Sequence, residues 1–405
     1  MPKINPEIET FARIKVVGVG GSGSNAVNHM VSSGVKGVEF IAMNTDAQHL
    51  HKSAADKKVH IGKNLTRGLG TGMDPDLGRR AAEESLEDIQ NIIKGADMVF
   101  VTAGMGGGTG TGAVPIIAKV AKEQGVLTVA IVTRPFFFEG KQRGAIADQG
   151  IEELRKEVDA VITIPNDRIL NVISKDTSCS SAFAMCDEIL RQAVEGISNI
   201  ITIPGIINVD FADVRAVMQN AGSALMGIGS ATGENRAIEA AKIAINSPLL
   251  DLSIDGAKGV LFTIAGGADM TMFEIQDAAK VITESIDGDA KVIFGAINDE
   301  KLKKNEIKVT VIATGFPEVS KKKSGGIFGL ENKTTSPLSS TQATPSVPES
   351  TATKEKDEVH PFFSRPSITS VSNTKATIEK KEMEEELGDE DWSSIPAFLR
   401  RSKGK

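Results

Sequence analysis

Between residues 13 and 177, short apolar runs alternate with longer segments whose apolar positions recur every three or four residues. Runs at 13–19, 38–43, 97–103, 127–132 and 160–164 read as buried strands, being brief and rich in Val, Ile, Phe and Ala. Helices are predicted near 24–33, 74–93, 112–124 and 140–157. This alternation predicts a parallel sheet covered on both faces, because each crossover lays a helix against the strands. One long helical pattern follows over 178–202, with Ala182, Phe183, Met185, Ile189, Ala193 and Ile197 in step, closed by Ile203-Pro-Gly205. From 203 to 316 the pattern changes to helices near 211–221, 234–246 and 271–285 and strands near 258–265, 291–297 and 307–314, a smaller α+β domain.

Periodicity stops after residue 316. Residues 317–387 are rich in Ser, Thr, Pro and Lys and cannot bury enough apolar surface to offset ordering entropy, so a disordered linker is expected. The last segment, 388–405, passes from acidic residues through Trp392-Ser-Ser-Ile-Pro-Ala-Phe-Leu399 to Arg400, Arg401, Lys403 and Lys405. An apolar cluster on a flexible tether is suited to docking on a partner. Residues 1–12 are expected to be a flexible arm.

Glycine placement supplies the candidate chemistry. The strand at 97–103 leads into Gly104-Met-Gly-Gly-Gly-Thr-Gly-Thr-Gly112, six glycines in nine residues, and then a helix. Such a loop turns backbone N–H groups around an anion, and the following helix adds its positive dipole end. It is not a P-loop, which ends in Gly-Lys-Ser/Thr. A second loop, Gly18-Val-Gly-Gly-Ser-Gly23, follows the first strand, and Asp46 stands near the spacing of a nicotinamide-dinucleotide site. A dehydrogenase needs only one such loop; two in one domain point to phosphates gripped from two sides.

Composition narrows the classes. The chain has 405 residues, 40% hydrophobic, with net charge −7, which argues against a general nucleic-acid binder. Aromatics make up 4%, with no tyrosine, which leaves little for base stacking. No apolar run reaches the ~18 residues of a membrane span, so a cytoplasmic protein is expected, touching membrane only through partners. Cys179 and Cys186 share a helix face too far apart to bridge and are expected to be reduced core residues. His29, His49, His51, His60 and His360 are expected away from the glycine motifs, and no Cys/His metal cluster occurs.

The chain resembles the FtsZ family, the bacterial tubulin-like GTPases of cell division. The resemblance rests on Gly104–Gly112 together with Asn44-Thr-Asp46, Gly68-Leu-Gly-Thr-Gly72, Arg134-Pro-Phe-Phe-Phe-Glu-Gly140, Ile164-Pro-Asn-Asp167, Asn208-Val-Asp-Phe-Ala-Asp-Val-Arg215 and Ile395-Pro-Ala-Phe-Leu-Arg400. It implies a Rossmann-like tubulin/FtsZ GTPase domain over 13–177, a central helix over 178–202, a C-terminal α+β domain over 203–316, and an adaptor-binding peptide at 388–405. It further implies head-to-tail homopolymers forming a division ring under the inner membrane, with membrane adaptors and regulators bound through the tail.

Site residues carry over position by position. The resemblance assigns phosphate contacts to Gly21, Ser22, Gly23, Ser24 and Asn25, and to Gly108, Thr109 and Gly110. Asp187 matches the guanine-reading position and Phe183 would stack on the base; read alone, they are a solvated helix carboxylate and a core aromatic. Glu139 and Arg143 match positions near sugar and phosphates, with Asn166 nearby; read alone, the first two are an i,i+4 surface pair. Asp210 and Asp213, with Asn208, belong to the loop that the resemblance inserts into the next subunit's pocket to polarise the attacking water. Read alone, they cap a helix start. The expected ligands are GTP or GDP with Mg²⁺ held mainly by phosphates and water. The alternatives are an NAD-dependent oxidoreductase and a non-hydrolysing nucleotide-bound scaffold.

Overall fold

Among the described residues ten strands form one sheet, and the order in which the chain lays them down decides where a ligand can sit. The structure, a computed structural model, describes residues 12–316 except 172, 175, 204, 248–253, 255, 300 and 301. The linker at 317–387, the peptide at 388–405 and all of the arm but Ala12 lie outside the described residues.

The strands are β1 Ile14–Val19, β2 Val38–Asn44, β3 Lys57–His60, β4 Met98–Gly104, β5 Leu127–Arg134, β6 Ala160–Pro165, β7 Gly222–Thr232, β8 Gly259–Gly266, β9 Lys291–Asn298 and β10 Glu306–Thr314. Their order across the sheet is β3-β2-β1-β4-β5-β6-β7-β10-β8-β9. The first six are parallel and follow the doubly wound order, reversing direction between β1 and β4. Strand β7 joins β6 in parallel through three residue pairs, and β10 runs antiparallel to both β7 and β8. One sheet therefore carries both halves of the described chain.

The helices among the described residues are α1 Gly20–Ser32, α2 Ala47–His51, α3 Lys63–Thr66, α4 Pro75–Glu84, α5 Leu86–Ile93, α6 Thr109–Glu123, α7 Lys141–Glu157, α8 Asn166–Ile169, α9 Cys179–Thr202, α10 Phe211–Met218, α11 Arg236–Ile245 and α12 Met272–Thr283. Local chemistry explains several starts. Asp74 caps α4 by accepting from the N–H groups of Asp76 and Leu77, and Pro75 fills the first helical position, where no N–H is needed. Thr271 and Glu274 form a capping box on α12. Strands β1 and β4 are buried almost throughout, as a sheet covered on both faces requires. One apolar core includes Val27, Met30, Phe100, Ile131, Leu190 and Ile197; a second includes Val101, Ile117, Ala147 and Leu154.

Two strands and one break were not read from the sequence. Strand β3 buries only Val59 of its Lys-Lys-Val-His, so it lacks an apolar run. Strand β7 looks like a loop because it carries Gly222, Gly227 and Gly229. A Cβ at Gly229 would collide with Ala240 O, so glycine there lets α11 lie close on the strand. The helix expected over 74–93 divides at Ser85, whose hydroxyl accepts from Gly62 N–H at 3.1 Å instead of facing solvent. Helices α1 and α6 begin several residues earlier than the spacing predicts, inside the glycine loops.

Candidate functional site

Strands β1 and β4 end at Val19 and Gly104, on the two sides of the point where strand order reverses. A reversal of this kind opens a crevice at the carboxyl ends of the strands. Because α1 starts at Gly20 and α6 at Thr109, the unpaired first-turn N–H groups of both helices belong to the glycine loops. Neither start carries a side-chain cap or an acidic residue in its first turn. Gly20 has φ 72°, and a Cβ there would lie 3.1 Å from Gly110 N, so only glycine lets the two starts approach this closely. Two uncapped, positive helix ends thus line one crevice, an arrangement that attracts anions.

The crevice has a volume of about 530 Å³ and is lined by Gly21, Ser22, Asn25, Gly108, Thr109, Gly110, Glu139, Arg143, Asn166, Phe183 and Asp187. Thr71, Thr133, Pro135 and Cys186 line it too, and were not named as site residues from the sequence. Thr71 lies within a quoted glycine motif, and Cys186 adjoins Asp187, so both carried a local signal. The Thr109 hydroxyl is held by Thr45 Oγ1 at 2.8 Å and Thr71 Oγ1 at 3.2 Å. Gly23 and Ser24 are not among the residues that line the crevice, and a Cβ on Gly23 would collide with Thr102 O of β4. Ser24 is fully buried, and its Oγ has no partner.

Polar atoms at the wall are left waiting. Asn166 Oδ1 and Arg143 Nε are buried without a hydrogen-bond partner, a costly state that a bound polar group would relieve. Glu139 and Arg143 form an ion pair on the rim. Phe183 is 43% exposed, presenting a ring to the cavity and packing edge-on against Phe136 at 5.4 Å. Burial pushes the Asp187 carboxyl up to about 6, with His29 pulling the other way. Burial, with the Asp187 charge beside it, pushes the Cys186 thiol up to about 12. Cys179, by contrast, is exposed, which corrects the expectation of two core cysteines.

Asn208, Asp210 and Asp213 lie elsewhere. Asp210 caps α10, accepting from Ala212 N–H at 3.0 Å, and Asn208 Oδ1 accepts from Gly205 N–H at 2.6 Å. Arg215, two residues beyond Asp213, donates to Gly125 O at 3.0 Å, just before β5 begins. The crevice is at the other end of β5, eight residues away, or ~26 Å at strand rise. Asn208, Asp210 and Asp213 are all exposed at this amino-terminal edge.

The comparisons with known proteins agree with this geometry. Residues 13–174 match the Tubulin/FtsZ family, GTPase domain, and residues 222–317 match the FtsZ family, C-terminal domain. An FtsZ dimer from M. jannaschii is 46% identical with a TM-score of 0.72, over 75% of this chain and 88% of that one. The chain belongs to the FtsZ family.

A mutant FtsZ from M. jannaschii is likewise 46% identical, with a TM-score of 0.73 over 76% and 92% of the two chains. CetZ2 of Haloferax volcanii, a GTPγS-bound protofilament, shares the fold at 24% identity and a TM-score of 0.65, over 76% and 94%. As an FtsZ-family member the chain is a self-assembling, GTP-binding GTPase of cell division. The oxidoreductase and inert-scaffold alternatives fall with that result. The dinucleotide-like strand order is real, but it serves a different nucleotide.

A histidine also stands where none was expected. His49 Nε2 lies 3.0 Å from Asn25 Oδ1, beside the first glycine loop. His29 Nε2 lies 3.0 Å from Glu188 Oε2, tying α1 to α9. Among the described residues no group of three His, Cys, Asp or Glu could hold a metal, and no helix is long and apolar enough to cross a membrane.

Proposed function

We propose that the crevice binds GTP and that the next subunit in a head-to-tail filament completes it with Asp210 and Asp213. The domains are assigned as 13–177 for GTP binding, 178–202 for the central helix and 203–316 for the C-terminal α+β domain. The observation that carries this reading is the separation of crevice and aspartates to opposite ends of the parallel strands. Helix α9 runs between those ends: Asp187 lines the crevice, while Thr202 packs beside Gly37, just before β2. Those 15 residues span ~22 Å at helical rise. A subunit therefore cannot bring its own Asp213 to its own crevice, whereas stacked copies can. Exposed apolar groups at each end, Phe137 and Phe138 by the crevice and Ile203 and Ile206 before Asn208, suit such stacking.

In this reading the N–H groups of Gly21, Ser22 and Gly108–Gly110 hold the phosphates, supported by the two helix dipoles. Gly23 and Ser24 act behind them, packing α1 against β4. Phe183 stacks on guanine, and the Asp187 carboxylate accepts from N1–H and the exocyclic amine. Glu139, Arg143 and Asn166 hold the sugar and phosphate side. The next subunit's Asp210 and Asp213, kept in place by the α10 start and Asn208, orient and polarise a water. That water attacks the γ-phosphorus in line as the bond to the bridging oxygen breaks, giving GDP and phosphate. Mg²⁺ would be held by phosphate oxygens and water and would neutralise developing charge.

The resemblance of Ile395–Arg400 to the family's tail peptide supports two further assignments. Residues 388–405 bind membrane adaptors and regulators, and the protein works in the bacterial cytoplasm at the division site. Phosphate release measured against protein concentration, with light scattering in parallel, tests the shared site. Hydrolysis should stay low below a threshold and then rise with scattering. Release proportional to concentration from zero would mean that each monomer owns a whole site.

A further inference from the structure

The His49 contact has a polarity that hydrogen-bond logic settles. Asp46 N–H donates to Asn44 Oδ1 at 3.2 Å, which leaves the Asn44 Nδ2 amide as the donor toward its other neighbour. That neighbour is His49 Nδ1, 3.1 Å away, which must then accept. A neutral imidazole accepting at Nδ1 carries its proton at Nε2. Nε2–H therefore donates to Asn25 Oδ1 at 3.0 Å. The Asn25 carbonyl is thereby held toward His49, and its amide N–H₂ is what remains to face the crevice that Asn25 lines. The imidazole itself is fixed at its backbone, since His49 N–H donates to the Asp46 cap of α2 at 3.0 Å.

We infer that His49 is a positioning residue that sets the amide orientation of Asn25, so that Asn25 presents a donor to an acceptor oxygen of the bound nucleotide. The inference rests on the reading of the crevice as the nucleotide site. Without His49 the Asn25 amide is free to turn its oxygen toward the phosphates, where like partial charges repel. Residues that hold a ligand's partner in this way act without touching the ligand, as outer partners do around metal sites.

Two measurements on the full-length protein test it, with GDP as the probe so that hydrolysis and assembly do not intrude. The first is a double-mutant cycle on GDP affinity by calorimetry. His49→Ala should weaken binding about fivefold, the size of one net hydrogen bond. In an Asn25→Ala background the same change should do nothing further. Independent, additive losses would overturn the relay. An Asn25→Ala protein that binds GDP as the wild type does would overturn the site reading and the relay together. The second measurement covers the case where His49→Ala does not fold. Nitrogen-15 NMR of the histidines in the unmutated, GDP-bound protein should show His49 protonated at Nε2 and bare at Nδ1. The opposite tautomer would overturn the inference.

Discussion

At the scale of single residues, Asp187 is a carboxylate placed where burial penalises its charge. With burial raising its pKa to about 6, a proton would compete with the proposed guanine contact for the same oxygens. The proposed guanine contact needs the anion, so binding must draw the pKa down. GDP affinity should be flat above about pH 7 and fall by up to about tenfold per unit below pH 6. Calorimetry across that range checks it, with Asp187→Asn expected to bind weakly and lose this component. The same burial costs stability at neutral pH, because the folded state holds the carboxylate less easily than the unfolded chain does. Asp187→Asn should therefore stabilise the nucleotide-free protein by about 1 kcal/mol at pH 7.5 in denaturant melts, allowing for partial exposure. Little of this was legible in residues alone. Phe183 and Asp187 sit one turn apart on an amphipathic helix like any other, and only the resemblance gave them a role. His49 was missed because its partners, Asn25 and Asn44, converge only when α1, β2 and α2 are packed together.

At the scale of elements, the glycine loops are helix starts held by close packing. A Cβ at Gly112 would collide with Pro75 O, and one at Gly78 with Gly108 O, so α4 and α6 touch backbone to backbone just behind the second glycine loop. Gly112→Ala should cost about 1–3 kcal/mol by forcing the helices apart, and should weaken GDP binding as Thr109 moves with α6. An unchanged denaturation midpoint would show that the helices part freely. A second junction joins α1 to α9. Burial works to raise the Glu188 pKa, but hydrogen bonds from Arg191, His29 and Gln192 outweigh it and hold the carboxyl at about 2. A depressed carboxylate stabilises the fold above its unfolded pKa and loses that contribution as pH falls toward its folded value. Glu188→Gln should thus lower stability at pH 7 by about 1 kcal/mol, discounted for exposure, and the gap should narrow as pH drops below about 5. Glycine clustering announced the loops, yet the sequence placed the helix starts too late. Glycine weakens a helical pattern even where, as at 109–112, close approach demands it.

At the scale of the whole molecule, the alternating pattern sufficed for the fold class, since most of the parallel strands are apolar runs too short for helices and stand between longer segments of helical spacing. The seam between halves was not visible, because β7 pairs with β6 over only three residues and is glycine-rich. Sharing of the catalytic site has its own test. Asp213→Ala subunits keep the crevice but lack the proposed water-orienting carboxylate, and should lose about 10²-fold or more in turnover while still binding GTP. Asp187→Ala subunits keep Asp213 but lose the base contact. Neither should hydrolyse well alone; mixed, they should recover activity at junctions where a sound crevice meets a sound aspartate. Mixtures no faster than the two parts summed would place Asp213 outside the reaction.

In the proposed shared-site filament, the distance between Asp213 and the crevice of the same subunit would also give the polymer a memory at one end. Every interior crevice is closed by a neighbour, but the last crevice at the open end faces only water. The nucleotide there stays intact for as long as no further subunit arrives, whatever its age. Each arrival seals that crevice and exposes a fresh one, so a growing tip always wears an uncut GTP. The opposite tip ends in bare aspartates and its newest crevice is already closed. On the shared-site proposal, two chemically unlike tips on one polymer follow from ~26 Å of strand.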